Sequence, residues 1–260
     1  MMLEDRVAVI TGAGRGIGRE MALFFAQEGA HVVLSGRSVE AMQDVADQIK
    51  AKGHSAFVFP MDLRDADSIA QAANQAEELF GRVDVLVNNS AIGGPGAPLW
   101  EIDPVDWEDT FRVNVTGTFL TCRAFLPGMI RRRSGSIILV GSTSGKRPHL
   151  HRSPYASTKM ALIGLTRTLA AEVGPFGIRV NLISPGAVEG ERLDWALKVH
   201  AEAMGVSLDE AANEVRRLAP LNRLTSARDV AAAAAFLASD RASAAVTGID
   251  LNVNAGLAMY

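Results

Sequence analysis

Seven short apolar runs recur along the chain, and longer segments with helical periodicity separate them. The runs are RVAVIT, HVVLSG, SAFVFP, VDVLVN, GSIILVGS, IRVNLIS and GIDLNV. They are almost wholly apolar instead of alternating with polar residues, which is typical of parallel strands covered on both faces. The connecting segments, such as GREMALFFAQEG, repeat apolar residues every three or four positions. This pattern predicts an α/β fold in three layers, α/β/α, around a doubly wound parallel sheet of seven strands.

Length and charge restrict the organisation and the partners of the protein. The 260 residues fit a single domain spanning 1–260. The net charge of −3, with scattered Lys and Arg, disfavours a nucleic-acid or membrane surface and favours a small-molecule partner. Cys122 is the single cysteine and lies in an apolar helical pattern, so we expect a buried thiol. The sequence shows no leader and no apolar stretch of membrane-spanning length, which predicts a cytoplasmic protein.

A glycine-rich segment, GAGRGIG, follows the first apolar run and precedes a helical pattern. Gly12, Gly16 and Gly18 allow a tight turn and a close approach of the backbone to a pyrophosphate. The N–H groups at the start of the following helix favour the same anion. The segment therefore predicts a dinucleotide site, to which we also assign Arg15 and Ile17.

The end of the second run predicts which dinucleotide binds. NAD sites usually carry an acidic residue there, whereas Gly36 stands at this position and Arg37 follows it. A cation suits the 2′-phosphate of NADP, and Arg15 offers a second one, so NADP is the preferred cofactor and NAD the possible alternative. The other interpretation is that both arginines are solvated.

The third and fourth runs end in residues suited to the adenosine. Asp62 could accept from the adenine amino group and Leu63 could cover the ring, although Asp62 could equally be a helix N-cap. Asn88 and Asn89 would satisfy the backbone of the loop and line the ribose.

The segment SPYASTK places Tyr155 and Lys159 four residues apart. If a helix begins near Ser153, both side chains lie on one helix face. A phenol has a pKa of about 10, and a fixed ammonium group beside it favours the phenolate. The pair is therefore a candidate for general acid and base catalysis.

Together these segments resemble the short-chain dehydrogenase/reductase family, over nearly the whole chain. The matching motifs are TGAGRGIG at 11–18, NNSA at 88–91, VNVTG at 113–117, GSTS at 141–144, YASTK at 155–159 and SPG at 184–186. The resemblance implies a Rossmann-type sheet and a nicotinamide cofactor. Together with the preference for NADP argued from Arg37, it predicts reversible hydride transfer between NADP(H) and a secondary alcohol or ketone. It also implies a homotetramer and a catalytic tetrad of Asn114, Ser142, Tyr155 and Lys159.

The resemblance gives each residue of the tetrad a role. Tyr155 is the general acid or base, and Lys159 lowers its pKa and holds the nicotinamide ribose. Ser142 orients the carbonyl oxygen, and Asn114 holds a water of a proton relay. The family's loop after SPG implies that Pro185, Gly186 and the N–H of Val188 contact the nicotinamide, because Gly190 stands where the family often has threonine.

Two further segments are candidates for the substrate pocket. Residues 146–154 carry several cations, of which Arg152 could hold an anionic group, and Ser144 could also line the pocket; a solvated basic loop is the alternative. His149 and His151 lack a third ligand, so we predict no metal. Residues 187–221 predict a helix pair, capped at SLDE, that closes over the substrate as a lid. Its apolar residues could pack within the lid or contact substrate: Leu193, Trp195, Ala196 and Met204. Tyr260 could reach a neighbouring subunit's pocket.

Two alternatives to an NADP-dependent enzyme remain. The lid resembles that of the 3-hydroxybutyrate dehydrogenase branch, so an NAD-dependent dehydrogenase of a 3-hydroxy acid or another alcohol is one. A catalytically silent nucleotide-binding scaffold on the same fold is the other. The presence of both Tyr155 and Lys159 disfavours the scaffold, because binding alone requires neither residue.

Overall fold

All seven apolar runs form strands of one parallel sheet, as the sequence predicts, within the part of the chain that the structure describes. The structure is a computed structural model. It describes residues 1–259, except for the side chains of residues 192, 195, 196, 199, 200, 202 and 203. The strands are β1 Val7–Thr11, β2 His31–Gly36, β3 Ala56–Pro60, β4 Val85–Asn88, β5 Gly135–Val140, β6 Ile178–Pro185 and β7 Asp250–Val253.

The strand order is β3-β2-β1-β4-β5-β6-β7, so the winding direction reverses between β1 and β4. In open α/β sheets, ligands bind at the carboxyl ends of the strands beside such a reversal. Parallel pairing of Ile10 with Leu34 on one side and with Val87 on the other fixes the register there. The topology thus brings the ends of β1, β4 and β5 together.

Helices connect successive strands and cover both faces of the sheet. They are α1 Gly16–Gln27, α2 Val39–Lys50, α3 Ala66–Phe80, α4 Pro104–Phe111, α5 Gly117–Arg132, α6 Ser153–Val173, α7 Glu191–Met204, α8 Leu208–Leu218, α9 Ala227–Ala238 and α10 Asp240–Ser243. A π-helical turn, Arg112–Thr116, joins α4 to α5. Short 3₁₀ turns occupy Leu99–Glu101, Thr143–Gly145 and Gly174–Phe176.

Two separate apolar cores confirm the three layers. One lies between the sheet and helices α1, α2 and α9, and it contains Phe25 and Leu34. The other lies between the sheet and helices α3, α5 and α6, and it contains Phe125 and Leu86. Because each strand contributes side chains to both cores, its sequence is apolar throughout.

Cys122 is buried in α5, as predicted. Burial raises the pKa of its thiol to about 12, although a hydrogen bond from Asn88 opposes this rise. No described helix is both long enough and apolar enough to cross a bilayer.

The predicted helix pair is present as α7 and α8. Gly205, with a φ of 65°, ends α7 in the left-handed conformation. Ser207 and Glu210 form the capping box expected from SLDE. The two helices pack on each other through a small apolar cluster of their own, which includes Leu197, Ala211 and Leu193. Leu193 therefore packs within the pair, while Met204 is exposed; the side chains of Trp195 and Ala196, and the whole of Tyr260, lie outside the described residues.

Candidate active site

The glycine loop lies at the carboxyl end of β1, and its glycines are required by their surroundings. Gly12 and Gly16 have φ values of 68° and 54°, a region that favours glycine. A Cβ on Gly18 would lie 2.2 Å from the carbonyl oxygen of Gly12, whereas one on Gly16 would meet no described atom within 4 Å. The loop is thus tightly packed beneath Gly18 and open above Gly16, where α1 begins. An open backbone surface at a helix N-terminus fits the pyrophosphate of a dinucleotide.

Asn89 fastens this loop to the end of β4. Its side-chain Nδ2 donates to the carbonyl oxygens of Thr11 and Gly12, at 2.9 and 3.3 Å. The hydroxyl of Thr11 accepts in turn from the N–H groups of Asn89 and Ser90. Asn88 was expected to line the ribose too, but that expectation is wrong. Its side chain is buried against α5, because the last residue of a strand still alternates faces, and it bonds there to Thr121 and Cys122.

Arginines lie around the ends of the first three strands, where the sequence predicts the adenosine of the cofactor. Gly36 lies against Gly12, so Arg37 follows directly beside the glycine loop, and both Arg37 and Arg15 are exposed. Arg64 binds Asp109 through two hydrogen bonds of 2.8 and 2.7 Å. This bond lowers the pKa of the Asp109 carboxyl, with smaller contributions from the charges of Arg112 and Arg37.

Asp62 and Leu63 lie between β3 and α3. The N-cap of α3 is Asp65, so the alternative interpretation of Asp62 as the cap is wrong. The Oδ1 of Asp62 instead accepts from the N–H of Arg64 at 3.0 Å. Leu63 is buried, and it approaches the backbone of Gly117 so closely that a Cβ there would lie 2.7 Å from its own Cβ.

Tyr155 and Lys159 lie on one face of α6, which begins at Ser153 as predicted. The Lys159 Nζ is 5.5 Å from the centre of the Tyr155 ring. Tyr155 is 8% exposed and Lys159 only 3%, so both side chains are buried. The ammonium group donates to the carbonyl oxygen of Val140, at 2.7 Å, where β5 ends. A buried cation is thus held beside a phenol at the carboxyl edge of the sheet.

Ser142 lies two residues beyond the end of β5 and caps the 3₁₀ turn Thr143–Gly145. Its Oγ accepts from the N–H of Ser144 at 3.1 Å. The turn packs directly on α6, because a Cβ on Gly145 would lie 3.0 Å from the backbone nitrogen of Met160. The close packing brings the Ser142 turn next to the helix that carries Tyr155 and Lys159.

Asn114 is buried in the π-helical turn and connects three elements. Its Oδ1 accepts from the N–H of Ile92, and its Nδ2 donates to the Ile92 carbonyl, both at 2.9 Å. The same Nδ2 donates to the hydroxyl of Thr158 at 3.1 Å. Asn114 therefore fixes the loop after β4 against the helix that holds Lys159.

The Pro185–Gly186 segment ends β6 on the other side of the site. Gly186 packs on Asn254, where a Cβ would lie 2.6 Å from that residue's own Cβ. Val188 forms an isolated parallel bridge with Thr225. The bridge uses the carbonyl of Ala187 and the N–H of Glu189, so the N–H of Val188 stays outside this ladder.

Arg152 forms the N-cap position of α6, and its guanidinium carbon lies 5.1 Å from the centre of the Tyr155 ring. His149 is close by: desolvation and the charges of Arg147 and Arg152 lower the pKa of its imidazole. Among the residues that the structure describes, no group of three His, Cys, Asp or Glu side chains could hold a metal ion.

Three structural partners of the site were not predicted from the sequence. Thr11 orders the glycine loop, Thr158 holds Asn114, and Lys146 forms a buried ion pair with Asp250. Thr11 and Thr158 lie inside the recognised motifs TGAGRGIG and YASTK, which was the available signal. Nothing in the sequence pairs Lys146 with Asp250.

The sequence is similar to a known protein family and to known oxidoreductases. The short chain dehydrogenase family model matches residues 6–198. The uncharacterized oxidoreductase YxbG of Bacillus subtilis is 37% identical over 259 residues, which cover 99% of this chain and 93% of that protein. The 3-oxoacyl-(acyl-carrier-protein) reductase FabG of Staphylococcus aureus is 36% identical, and the match covers 99% of this chain and 100% of that protein.

The fold is also similar to solved structures of oxidoreductases. A variant of actinorhodin polyketide ketoreductase with NADPH superposes with a TM-score of 0.93 at 33% identity, covering 98% of both chains. NAD⁺-bound xylitol dehydrogenase gives a TM-score of 0.92 at 27% identity, covering 98% of this chain and 100% of that one. The chain therefore belongs to the short-chain dehydrogenase/reductase family and is an NAD(P)-dependent oxidoreductase that acts on CH–OH groups.

Proposed function

We propose that the protein interconverts a secondary alcohol and a ketone with NADP(H), and that Tyr155 is the general acid and base. The observation that carries this proposal is the buried Lys159 ammonium, 5.5 Å from the Tyr155 ring at the carboxyl edge of the sheet. The positive charge of this ammonium group favours the ionised form of the phenol beside it.

The residues at the edge of the sheet fit a nicotinamide dinucleotide. The open backbone above Gly16 and the start of α1 suit its pyrophosphate. The remaining contacts come from residues already described: Gly12, Arg15, Ile17, Gly18, Arg37, Asp62, Leu63, Asn89, Tyr155, Lys159, Pro185, Gly186 and Val188. When bound, the cofactor supplies or accepts the hydride.

The protein's own residues manage the proton and the carbonyl oxygen. In reduction, Tyr155 donates its Oη proton to the oxygen that becomes the alcohol, and in oxidation its phenolate removes that proton. Ser142 donates a hydrogen bond to the same oxygen and stabilises its developing charge. Lys159 stabilises the phenolate, and Asn114 holds the water through which the proton of Lys159 exchanges with solvent.

The substrate contacts belong to Ser142, Ser144 and Arg152. The guanidinium carbon of Arg152 lies 5.1 Å from the centre of the Tyr155 ring, and burial, together with the charges of Arg147 and Arg152, lowers the pKa of His149. Positive charge at this place suits a ketone with an anionic group a few atoms from its carbonyl. Helices α7 and α8, within residues 187–221 of the single domain, act as the lid.

The preference for NADP rests on charge. Gly36 takes the position at the end of β2 where an acidic residue would bind the ribose of NAD, and Arg37 follows it beside the glycine loop. The similar ketoreductase was solved with NADPH, whereas the similar xylitol dehydrogenase carries NAD⁺. The charges of Arg37 and Arg15 favour the phosphorylated cofactor.

Replacement of Tyr155 tests the chemistry. We expect Tyr155→Phe to lower kcat by about 100- to 10,000-fold, because it removes the proton donor and leaves the ring in place. Wild type and variant are compared by the change in NADPH absorbance with a panel of oxo acids, oxo esters and cyclic ketones. NADPH binding, followed by fluorescence, is the control and should persist. Unchanged turnover of a good substrate would exclude Tyr155 as the acid, and a protein that binds the dinucleotide but turns over no carbonyl compound would favour the scaffold alternative.

A further inference from the structure

A buried ion pair joins the Ser142 turn to strand β7 beside the candidate site. The Lys146 Nζ lies 2.7 Å from the Oδ2 of Asp250, and the side chains are only 7% and 10% exposed. Lys146 directly follows the 3₁₀ turn that Ser142 caps. Asp250 is the first residue of β7, at the edge of the sheet.

The other oxygen of Asp250 reaches the end of β6. The Ser184 hydroxyl donates to Oδ1 of Asp250 at 2.7 Å, and Ser184 immediately precedes Pro185, the last residue of β6. Lys146 makes a second bond, of 2.6 Å, to the Oδ1 of Asn252, which pairs with Ser184 in the β6–β7 register. One carboxylate thus connects the Ser142 turn to the end of β6, from which the Pro185–Gly186 segment leads.

We infer that Lys146 and Asp250 are positioning residues, which hold the Ser142 turn and the Pro185–Gly186 segment in their relative places for hydride transfer. This inference rests on the proposed function for the role of those two loops. A buried ion pair contributes little net stability to a fold. Stability alone therefore does not account for the pair of Lys146 and Asp250 between the Ser142 turn and β7. A displacement of about 1 Å between reacting groups costs about 100-fold in rate, which makes their relative position valuable.

Substitutions can separate positioning from stability. Lys146→Met removes the cation and leaves Asp250 buried and unpaired, so we expect both the melting temperature and kcat to fall, kcat by about 10- to 100-fold. The double variant Lys146→Met/Asp250→Leu removes both charges. We expect the double variant to regain most of the thermal stability but not the wild-type kcat, because the link between the Ser142 turn and β7 stays broken.

Arg179→Met is the matched control. Arg179 is also a buried cation, and it pairs with Asp240 at 3.1 Å. It lies at the start of β6, at the opposite end of the sheet from the candidate site. We expect this variant to lose thermal stability and to keep its kcat at temperatures where it is folded.

Amide hydrogen exchange provides a readout that needs no substrate. In Lys146→Met we expect faster exchange at residues 143–147 and 184–188 together, and in Arg179→Met at neither segment. The inference is overturned if folded Lys146→Met keeps the wild-type kcat and exchange, if the double variant regains kcat along with stability, or if Arg179→Met loses kcat equally. If the wild-type protein turned over no carbonyl compound, that result would count against the proposed function alone. The hydrogen-exchange pattern of the variants tests the positioning role of Lys146 and Asp250 independently.

Discussion

One exposed arginine, Arg37, carries the proposed preference for NADP. Arg37 is exposed and lies beside the glycine loop, at the end of β2. An exposed guanidinium stabilises a bound phosphate mainly through its charge and through paired hydrogen bonds. Its contribution should therefore depend on whether the cofactor carries a 2′-phosphate.

We expect Arg37→Gln to weaken NADPH binding by about tenfold or more and to leave NADH binding nearly unchanged, because one charge-assisted contact is lost. Dissociation constants for both cofactors, measured by fluorescence, test this. Arg19→Gln is the control, since Arg19 directly follows the glycine loop in α1 but its guanidinium group donates to the side chain of Gln48. Wild-type protein that binds NADH more tightly than NADPH would contradict the assignment and favour the NAD-dependent alternative.

Asp229 illustrates a residue that acts on stability. Its carboxyl bonds to Arg223 and completes the capping box of α9 with Ser226, and these bonds lower its pKa to about 2. Because the folded-state pKa lies below the ordinary value, the stabilisation is fully present above about pH 4 and disappears as the pH falls toward 2.

We expect Asp229→Ala to lower the free energy of unfolding at pH 7 by about 1 kcal/mol, through the loss of the cap. The difference in the free energy of unfolding between variant and wild type should become smaller between pH 4 and pH 2, where the wild-type carboxyl takes up a proton. Urea denaturation at pH 7 and pH 3 measures both values. An equal difference at the two pH values would show that the ionised carboxyl is not the stabilising group.

At the scale of elements, the unit of β1, the glycine loop and α1 is decisive. Gly18 lets the first turn of α1 pack on the carbonyl of Gly12 and on the amide of Asn89, where any side chain would clash. The helix N-terminus can then face the open backbone above Gly16. The position of α1, and with it the proposed pyrophosphate site, depends on the absence of one Cβ.

Gly18→Ala should therefore destabilise the fold by about 1–3 kcal/mol and weaken NADPH binding at least tenfold. Gly174→Ala, at the end of α6, is the control, because its φ of −54° suits any residue and a Cβ there would meet no described atom within 4 Å. That change should leave binding intact and affect stability far less than Gly18→Ala, because the added methyl group makes no close contact. Thermal denaturation and fluorescence titration of both variants test the argument, which would be wrong if the two variants behaved alike.

At the scale of the whole molecule, helices α5 and α6 expose apolar side chains that the fold itself does not cover. Phe119 and Met160 are 48% and 54% exposed. Large exposed apolar side chains on neighbouring helices are typical of subunit interfaces. We propose that these helices meet their counterparts in a homotetramer, as the family resemblance implies.

We expect the wild-type protein to have about four times the mass of its 27.6 kDa chain in solution, and Phe119→Glu/Met160→Glu to reduce that mass by opening the apolar interface. Size-exclusion chromatography with light scattering measures both. Leu79→Glu, on the exposed surface of α3, is the control and should leave the mass unchanged. A monomeric wild-type protein would contradict the proposal.

The sequence by itself determined the strands, the helices and the motifs of the site. The sevenfold alternation of apolar runs and helical segments is a local pattern, and burial on both sheet faces requires it. The face shared by Tyr155 and Lys159 is also local, because a separation of four residues in a helix fixes it. The same holds for the capping box at Ser207, where the partners are three residues apart.

Only the tertiary structure decided the contacts between distant residues. Asn88 and Asn89 are neighbours in the chain, yet the side chain of Asn88, the last residue of β4, bonds to α5, and that of Asn89, the first residue beyond the strand, bonds to the glycine loop. Lys146 and Asn252 are 106 residues apart. Their bond exists because the strand order places β7 beside β6 and β6 beside β5, whose end leads into the Ser142 turn, an arrangement that no local pattern encodes.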